Sequence, residues 1–498
     1  MPQTSAPRRR ISVRAFLSAY TVTSAVLVAF TGFFLYFAAR GNDVAMADWR
    51  FMRMTKWYLV DIHVVLAFAL LIAAVLYGVA RIAGRRRAEG VVLRLVWSAI
   101  GCAAALYTGW YVIGEHPVLI PDVRVTAHPA SVVPDQVTLT WADDPTTTQA
   151  IQWRTSPIEG ASQLRFRTAS GADWTVVPAE TSLLEDPDLA NDVFNARHAV
   201  QLQGLTPATD YTYQVGHDGL WTEPAEFTTA GSTDTFSFVY MGDVQTGIEA
   251  WSALVQAADE RDPDAAFYIL AGDLVNKGCH RNEWDALFNS AGGVFAGKPL
   301  VPIIGNHDDC DEEGGPWMYL RMFDLPDNGP ERIEPERAYS FTYGNALFVC
   351  LDSNLDPDTQ TEWLEARLAE SQATWKFVLL HHPAYSSKPH RDNKDIRKAW
   401  CPLFDKYGVD IAFQGHDHAY TRTYPLVDGE AVNDPNHGVN YVLSVAGDKY
   451  YEQEPRDFVQ VAYTELSTYQ VVQITGRHLT YRAYDIEGNV VDQLDLTK

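Results

Sequence analysis

Five short motifs combine carboxylate, carboxamide and imidazole side chains, and each follows a run of apolar, β-prone residues. In chain order they are Gly242-Asp243-Val244-Gln245, Gly272-Asp273, Gly305-Asn306-His307-Asp308, His381-His382-Pro383 and Gly415-His416-Asp417-His418. Oxygen and imidazole ligands of this kind suit Mn, Fe or Zn. Two such ions held close together can activate a water molecule and bind the group that it attacks. The motifs therefore predict a metal-dependent hydrolase.

Alternating strands and helices are needed to bring these motifs together. Asp243 and Asp273 stand 30 residues apart, and Asn306 follows 33 residues later, which is the length of one strand-helix-strand unit. Ligands at that interval can lie at the same end of neighbouring strands, where open α/β sheets bind their ligands. A further Gly447-Asp448 pair is assigned no role. Strands are predicted at 236–241, 266–271, 300–304, 377–380 and 411–413, and helices at 249–259, 282–289, 359–370 and 393–407.

Residues 1–120 form a hydrophobic zone that is predicted to cross a membrane three times. Its long uncharged stretches approach the roughly 20 residues that span a bilayer, and helices are predicted at about 15–39, 57–80 and 92–114. Basic residues precede the first helix and separate the second from the third, which favours the cytoplasm for both segments, although the first loop carries four basic residues too. The chain is predicted to be a multi-pass protein of the cell membrane, with a cytoplasmic N-terminus and an extracytoplasmic catalytic domain.

Residues 121–231 are predicted to form an all-β sandwich. Apolar and polar residues alternate at 136–141, 150–154 and 211–215, as in half-buried antiparallel strands. The segment 202–213 resembles the late strand pair of a fibronectin type III domain, in which a tyrosine locks the corner. His198 and His217 are expected to be structural or surface residues rather than ligands, because no catalytic cluster is visible in this region.

Charge is distributed unevenly along the chain. Residues 1–120 carry 13 Lys and Arg against 5 Asp and Glu, a net charge of +8. Residues 121–498 carry 26 against 58, a net charge of −32. A region this acidic repels nucleic-acid backbones, so no nucleic-acid partner is expected. An anionic substrate would have to be attracted by metal ions rather than by a basic surface.

The five cysteines are too few for a disulfide scaffold. Cys350 lies in an apolar run and is expected to be an inert core residue. Cys279 and Cys310 each follow a ligand motif by a few residues. They either remain free or, outside the cytoplasm, form a disulfide at the rim of the site.

The order of the five motifs resembles the calcineurin-like metallophosphoesterases, and the preceding β-sandwich makes the chain similar to the purple-acid-phosphatase-like branch of that family. The resemblance implies an α/β catalytic domain of α-β-β-α layers over residues 232–498, with two divalent metal ions (Mn, Fe or Zn). The ligands that it implies are Asp243 and His418 for the first metal, Asn306, His381 and His416 for the second, and Asp273 as the bridge between them.

Two positions beside the first metal depart from the family pattern. Gln245 stands where many members have a histidine ligand, and Asn276 stands where purple acid phosphatases have the tyrosine that binds ferric iron. Gln245 is predicted to be a carboxamide ligand, with a water molecule as the alternative. Because no phenolate is present, ferric iron is less favoured, and a colourless enzyme with two divalent ions is predicted.

Three residues are predicted to take part in catalysis without binding metal. His307 is the candidate to donate a proton to the leaving oxygen or to stabilise transition-state charge. Asp308 is expected to orient His307, and His390 is expected to reach the substrate from a loop. The alternative for His307 is that it only connects two loops.

The combined prediction is a membrane-anchored phosphoesterase in which a metal-bridging hydroxide attacks a phosphate ester and His307 assists the leaving group. The expected partners are a phosphate-ester small molecule or a lipid-linked phosphate, and a lipid bilayer contacted through three helices. Phosphate monoesters are slightly favoured. The alternatives are a phosphodiesterase of the same fold and a surface binding module with a vestigial metal site.

Overall fold

The computed structural model of the chain describes residues 123–157, 160–310 and 315–498, and the backbone of residues 50–51 and 54–55. The chain divides into two compact units, Met1–Val125 and Thr126–Lys498. In the first unit, Arg50–Phe51 pairs antiparallel with Met54–Thr55. The three predicted membrane helices, at about 15–39, 57–80 and 92–114, lie outside the described residues. Within the described ranges, no helix combines the length and the hydropathy needed to cross a bilayer.

Residues 135–228 form two antiparallel sheets that face each other as a β-sandwich. The strands are β1 (Asp135–Thr140), β2 (Gln149–Thr155), β3 (Gln163–Thr168), β4 (Thr175–Pro178), β5 (Glu180–Glu185), β6 (Phe194–Leu202), β7 (Asp210–His217), β8 (Leu220–Trp221) and β9 (Ala225–Thr228). One sheet has the order β1-β2-β6-β5, and the other has β8-β7-β3-β4 with β9 also paired to β7. Apolar side chains of both sheets, among them Leu139, Trp153 and Val215, form one buried cluster.

A tyrosine locks the corner before β7, as the sequence predicted. The backbone N–H of Thr206 donates a hydrogen bond to Tyr211 Oη at 2.9 Å. His198 is buried on β6, and its two ring nitrogens lie within 2.9 Å of the hydroxyl oxygens of Thr155 and Thr181. Because both nitrogens have protein partners, His198 has a structural role in the sandwich.

The domain that follows contains two mixed sheets. Their strands are β10 (Thr235–Met241), β11 (Tyr268–Leu270), β12 (Leu300–Pro302), β13 (Tyr339–Tyr343), β14 (Ala346–Leu351), β15 (Trp375–Leu380), β16 (Ile411–Gln414), β17 (Tyr420–Thr423), β20 (Asn440–Leu443), β21 (Val459–Tyr463), β22 (Tyr469–Thr475), β23 (His478–Tyr484) and β24 (Val490–Thr497), with β18 (Leu426–Val427) and β19 (Glu430–Ala431) as a separate hairpin. The first sheet has the order β12-β11-β10-β22-β23-β24, and the second has β13-β14-β15-β16-β20-β17-β21.

Parallel pairing joins three strands at one end of the first sheet and four neighbouring strands inside the second sheet. Strands β10, β11 and β12 are parallel, and so are β14, β15, β16 and β20. The carboxyl ends of the parallel strands in each sheet therefore lie at a common edge. The metal-ligand motifs follow five of these seven strands, β10, β11, β12, β15 and β16. The tail from Tyr469 returns to the first sheet and pairs β22 antiparallel with β10.

Helices cover the outer faces of the two sheets. They are α1 (Ile248–Arg261), α2 (Arg281–Ser290), α3 (Tyr319–Met322), α4 (Asp358–Glu370) and α5 (Lys394–Tyr407), with a 3-10 turn at Val294–Ala296. Successive side chains of a strand point to opposite faces. On β14, Phe348 packs between the sheets with Phe238 and Phe377, whereas Val349 packs outward with residues of α4 and α5. This arrangement gives the α-β-β-α layers that the family resemblance implied.

A buried ionic network fastens the sandwich to α2. The Arg154 guanidinium, which is fully buried, lies 2.6 Å from Asp285 on α2 and 2.5 Å from Asp135 on β1. Arg281, at the start of α2, binds Asp192 at 2.9 Å. These contacts hold α2, which begins shortly after Asn276, against the sandwich.

Candidate metal centre

The predicted ligands all follow strands whose carboxyl ends meet at one edge of the two sheets. Asp243, Asp273 and Asn306 follow β10, β11 and β12 of the first sheet, and His381, His416 and His418 follow β15 and β16 of the second sheet. An isolated parallel bridge between Asp243 and Val445 joins the two sheets at this edge. Residues from distant parts of the chain are thereby brought into one centre.

Two groups of potential ligands share one carboxylate. Asp243, Asp273 and His418 form the first group, and Asp273, His381 and His416 form the second; in each group the ligand atoms lie within 4.8 Å of one another. Asp273 belongs to both groups, which is the arrangement required of a bridging ligand. The grouping is the same as the one that the family motifs implied.

Backbone carbonyl groups fix the orientation of two of the histidines. His381 Nδ1 lies 2.9 Å from the carbonyl oxygen of Ala271, and His418 Nδ1 lies 2.9 Å from that of Lys449. A carbonyl oxygen only accepts hydrogen bonds, so each Nδ1 carries a proton. Each Nε2 therefore faces the centre, 3.2 Å from Asp273 in the case of His381 and 3.5 Å from Asp243 in the case of His418. This is the tautomer that a metal-binding imidazole needs.

The carboxylates at the centre lack the cations that buried acids normally require. Among the described residues, neither Asp243 nor Asp273 forms an ion pair with a lysine or an arginine. Burial raises the pKa of Asp243 to about 8, against the effect of His381. At Asp273 burial also acts to raise the pKa, but His381 and His307 outweigh it and lower the pKa to about 2. An excess of negative charge in a buried site is the condition under which divalent cations bind.

Gln245 lies where a ligand of the first metal is needed. Its Nε2 lies 3.0 Å from Asp273 Oδ2 and 2.7 Å from His418 Nε2, while its Oε1 is buried without a hydrogen-bond partner among the described residues. A half-turn of the carboxamide exchanges the positions of its nitrogen and its oxygen, and only the oxygen binds metal. Because the oxygen has no partner where it lies, a half-turn that places it beside Asp273 and His418 fits the predicted carboxamide ligand. Asn306 Oδ1 approaches the second group, 3.3 Å from His381 Nε2.

Several ligands lie on strained backbone. Asp273, His416 and His418 have φ angles of 52°, 76° and 45°, in the left-handed region that L-residues seldom occupy. Gly272 precedes Asp273 with a φ of 86°, and a Cβ atom at this glycine would lie 2.5 Å from His381 Nδ1. Strain of this type is concentrated at functional sites, because the surrounding structure has to impose it.

His307 lies beside the shared aspartate. Its backbone N–H donates a hydrogen bond of 2.8 Å to Asp273 Oδ1, and its ring Nδ1 lies 2.7 Å from the carbonyl oxygen of Asn276. The carbonyl group assigns a proton to Nδ1, which leaves Nε2 as the atom that can exchange a proton with a substrate. His307 is half-buried, so the residue keeps part of its surface exposed to solvent.

Asp308 does not orient the His307 ring in the way that the sequence predicted. Its buried carboxylate instead accepts hydrogen bonds from the backbone N–H groups of Leu274 at 2.8 Å, Val275 at 3.2 Å and Gly305 at 2.8 Å. A buried acid next to a ligand loop satisfies backbone donors that would otherwise be unpaired. Asp308 thus ties the Asp273 loop to the Asn306 loop, and the ring of His307 is held by Asn276.

The loop after His381 supplies a contact that the sequence did not reveal. His390 is exposed with a φ of 61°, and its predicted contact with substrate stays a prediction. The next residue, Arg391, donates to the carbonyl oxygen of His416 at 3.1 Å and pairs with the buried Asp417. Arg391 therefore fixes the loop that carries His416 and His418. The one feature of the sequence that pointed to Arg391 is its position directly after the candidate His390.

A second missed segment is the Gly447-Asp448 region. The backbone N–H groups of Ala446 and Gly447 donate to the carbonyl oxygen of Asp243 at 2.9 and 2.8 Å. This segment follows strand β20, just as the recognised motifs follow their strands. The dipeptide that was assigned no role therefore buttresses the first ligand loop.

A disulfide joins the two loops that hold His307. Cys279 and Cys310 are bonded, and their Cα atoms lie 4.9 Å apart. Next to the bond, the Gly278 N–H donates to the carbonyl oxygen of His307 at 2.7 Å. The structure therefore selects the disulfide from the two alternatives that the sequence left open. Cys350 is buried and free, as expected.

Two sequence families match this part of the chain. Residues 134–229 match the N-terminal domain of purple acid phosphatases, and residues 236–420 match the calcineurin-like phosphoesterases. The chain joins a purple acid phosphatase N-terminal domain to a calcineurin-like phosphoesterase domain. The phosphoesterase match includes all the predicted metal ligands. The donor set, the shared Asp273 and the unpartnered Gln245 oxygen fit the two divalent metal ions of this family.

Relatives of this chain occur in bacteria, animals and plants. Two uncharacterized proteins of Mycobacterium tuberculosis are each 27% identical over 329 residues, covering 56% of this chain and 60% of theirs. Acid phosphatase type 7 of Danio rerio is 26% identical over 351 residues, covering 60% and 77%. Fe(3+)-Zn(2+) purple acid phosphatase 12 of Arabidopsis thaliana is 26% identical over 280 residues, covering 50% and 59%. The match thus spans about 60% of the length of the mycobacterial relatives.

Two solved structures share the fold. A purple acid phosphatase from yellow lupin (Lupinus luteus) seeds superposes with a TM-score of 0.64 at 19% identity, covering 73% of this chain and 74% of that one. The structure of PhoD superposes with a TM-score of 0.54 at 14% identity, covering 74% and 93%. Each superposition covers about three quarters of the chain. The sandwich and phosphoesterase fold together occur in other proteins.

Proposed function

We propose that this protein hydrolyses phosphate esters with two divalent metal ions. The observation that carries the proposal is the pair of ligand groups that share Asp273, with the His307 backbone N–H bonded to the shared carboxylate. Asp243, His418 and Gln245 would hold one ion, and His381, His416 and Asn306 would hold the other. When bound, the ions supply an activated water molecule and positive charge for the phosphoryl oxygens.

The chain's own residues have separable tasks in this reaction. Asp273 holds the two ligand groups together, and its Oδ1 accepts the His307 N–H, so the acid also places His307. The His307 ring keeps a proton on Nδ1 through Asn276 and can deliver one from Nε2 to the leaving oxygen. Asp308 and Arg391 keep the ligand loops in place without touching the reacting groups.

Phosphate monoesters are the proposed substrates. The relatives named acid phosphatase and purple acid phosphatase support this choice, together with the sandwich domain that the chain shares with them. A phosphodiesterase of the same fold is the alternative, and a binding module with a vestigial metal site is the third possibility. The complete ligand set argues against a vestigial site, because a binding module would not require two oriented histidines and a shared aspartate.

We further propose that the catalytic domain lies outside the cytoplasm and is tethered to the membrane by helices in residues 1–120. The Cys279–Cys310 disulfide supports an oxidising compartment, and the uncharged stretches near the N-terminus support the tether. Intact cells that carry a C-terminal epitope tag test the location. We expect added protease to remove the tag without lysis, and the protein to stay with the membrane fraction in high salt. A protected tag, or release by salt, contradicts this part of the proposal.

The catalytic proposal is tested on the full chain in detergent, stripped of metal and reloaded with Mn, Fe or Zn. Turnover of a chromogenic monoester should require metal and exceed that of the matching diester, and the loaded protein should show no visible absorption band. His307→Ala should slow esters with poor leaving groups by about 10²–10⁴-fold and those with good leaving groups much less.

His437→Ala, at an exposed histidine away from the centre, is the matched control and should behave as the unaltered protein. Faster diester hydrolysis would select the phosphodiesterase. A folded protein without turnover in any metal would favour the binding module. Undiminished turnover by His307→Ala would remove the proposed proton donor while leaving the metal centre intact.

A further inference from the structure

Two lysines flank an aromatic ring that packs against the first ligand group. The Tyr451 ring lies 4.5 Å from the His418 ring, measured between centroids. The Lys388 Nζ lies 3.4 Å from the centroid of the Tyr451 ring, and the Lys449 Nζ lies 5.3 Å from it. These distances keep the Lys388 ammonium within about 8 Å of the centre of the His418 ring. Both cations therefore lie next to the candidate metal centre.

Hydrogen bonds tie together the two loops that carry these lysines. Ser387 Oγ donates to Gln453 Oε1 at 2.6 Å, and the Glu454 N–H donates to the carbonyl oxygen of Ser387 at 2.7 Å. The Lys449 carbonyl oxygen also accepts the proton of His418 Nδ1. The loops that carry the two lysines are thus held by contacts that also orient a metal ligand.

Neither ammonium group is neutralised by a carboxylate. Other lysines of the described region form ion pairs, such as Lys406 with Glu365 at 2.7 Å and Lys498 with Asp410 at 2.5 Å. Among the described residues no ion pair involves the ammonium of Lys388 or Lys449, although residues 121–498 carry a net charge of −32. Although this region is acidic overall, the two unpaired lysines form a local positive patch at the rim of the centre.

The neighbouring carboxylates do not neutralise the positive patch formed by Lys388 and Lys449. Burial, Arg391 and Lys449 lower the pKa of Lys388, and Asp417 opposes them. Asp417, the acid that acts on Lys388, is buried and already paired with Arg391. Glu454 pairs with Arg456 at 2.9 Å. The positive charges of Arg391 and Lys449 therefore both act on Lys388. The carboxylate of Asp417, which opposes them, is already neutralised by Arg391.

We propose that Lys388 and Lys449 form an anion subsite, and that the substrate is a phosphate ester whose leaving group carries a second anionic group, either a carboxylate or another phosphate. The inference rests on the proposed function, because the metals would hold the phosphoryl group while the lysines bind the second anion. A phosphate ester that lacks this second anionic group would leave both ammonium groups unpaired at the rim. Charged groups of opposite sign, placed in register, provide specificity of this kind.

Ligand binding tests the subsite without requiring turnover. The metal-loaded full chain in detergent is titrated by calorimetry with 3-phosphonopropionate and with propylphosphonate, which differ in the carboxylate. We expect the carboxylate to strengthen binding by about tenfold or more, as a charge-assisted contact does. In Lys388→Gln and Lys449→Gln the advantage of the carboxylate should fall to about threefold or less, and Lys388→Arg should retain most of it.

Lys406→Gln, which removes a lysine paired elsewhere on the surface, is the control and should keep the full preference. Equal binding of the two phosphonates by the unaltered protein overturns the subsite, as does an equal loss of both ligands in the Lys388 and Lys449 variants. Failure of both phosphonates to bind overturns it too. If no ester is hydrolysed but the lysine-dependent preference is present, the proposed function fails and the subsite stands.

Discussion

Two clusters of buried carboxylates in residues 126–498 are neutralised in different ways. At the junction between the sandwich and α2, Asp285 is only 1% exposed at its side chain and binds the fully buried Arg154. In the metal centre, Asp243 and Asp273 are equally buried, but their charged partners among the described residues are histidines. A buried acid that has an arginine beside it serves the fold. A pair of buried acids without one is prepared for a metal cation.

The pKa values of two buried histidines differ between these regions in the same way. His198, on the sandwich side, has its pKa lowered to about 4 by burial and by the neighbouring Arg197. At His381, burial also acts to lower the pKa, but Asp273 and Asp243 outweigh it and raise the pKa to about 10. The charged groups that act on His198 are therefore cationic, and the carboxylates that act most strongly on His381 are anionic. Only the centre gains from a bound cation.

The largest expected effect is from Asp273→Asn, because it removes the carboxylate that both ligand groups share. Turnover should fall by more than about 10³-fold, since two sites lose their common ligand. Added Zn should no longer raise the melting temperature, because a cation stabilises only a fold that binds it. Asp285→Asn is the matched buried acid and should keep the zinc-dependent rise. A zinc-dependent rise in Asp273→Asn would erase the distinction between the clusters.

Arg154→Met tests the junction in the opposite sense. Removing Arg154 leaves the buried Asp285 with only its longer ion pair to Arg281 at 3.9 Å, so the free energy of unfolding should fall by about 3–5 kcal/mol. Metal affinity, measured on the folded variant by competition with a chelator, should stay close to that of the unaltered protein. Arg482→Met removes an exposed pair with Asp495 and should cost less than about 1 kcal/mol. Equal losses in the two variants would mean that burial does not distinguish these pairs.

Acid should weaken the sandwich through His198. Its folded pKa of about 4 lies below the ordinary value, so the unfolded chain takes up the proton first. This contribution to stability is complete above pH 6.5 and is lost as the pH falls toward 4, by about 3 kcal/mol in all. In urea titrations, His198→Gln should lose less stability than the unaltered protein between pH 7 and 4.5. The exposed His478→Gln serves as control, and identical pH profiles for all three proteins would contradict the assignment.

The smallest expected effect is that of Gln245→Ala. The variant removes one neutral ligand and leaves both carboxylates, so affinity for one of the two metals should fall by about 10–100-fold. Excess metal should restore most of the turnover. Gln372→Ala, at an exposed glutamine after α4, should leave metal affinity unchanged. If Gln245→Ala binds both ions normally, a water molecule is the ligand at that position and the carboxamide is not.

Local pattern was sufficient to predict the elements that carry the ligands. Strand β10 (Thr235–Met241) was predicted at 236–241, and α4 (Asp358–Glu370) was predicted at 359–370. Polar residues directly after apolar strands also identified the ligands, because parallel strands end at a common edge. The strand predicted at 300–304 ends two residues earlier in the structure, at Pro302.

Partners that are distant in sequence could not be predicted in the same way. Arg154 and Asp285 are 131 residues apart, and each alone looks like an ordinary surface charge. Asp308 was expected to hold the neighbouring ring, but three backbone N–H groups of two loops converge on its carboxylate. The role of Gly447 depends on contact between the two sheets. Such features arise from tertiary structure and leave no periodic signal in the chain.

The left-handed backbone at Asp273, His416 and His418 makes the centre a weak point of the fold when the metals are removed. A non-glycine residue in that conformation costs roughly 1–2 kcal/mol, and three such residues lie in loops that the ions would otherwise cross-link. Local opening, and with it amide hydrogen exchange and proteolytic nicking, should therefore begin in these loops. A chelator in a purification buffer would act on this protein as a local denaturant.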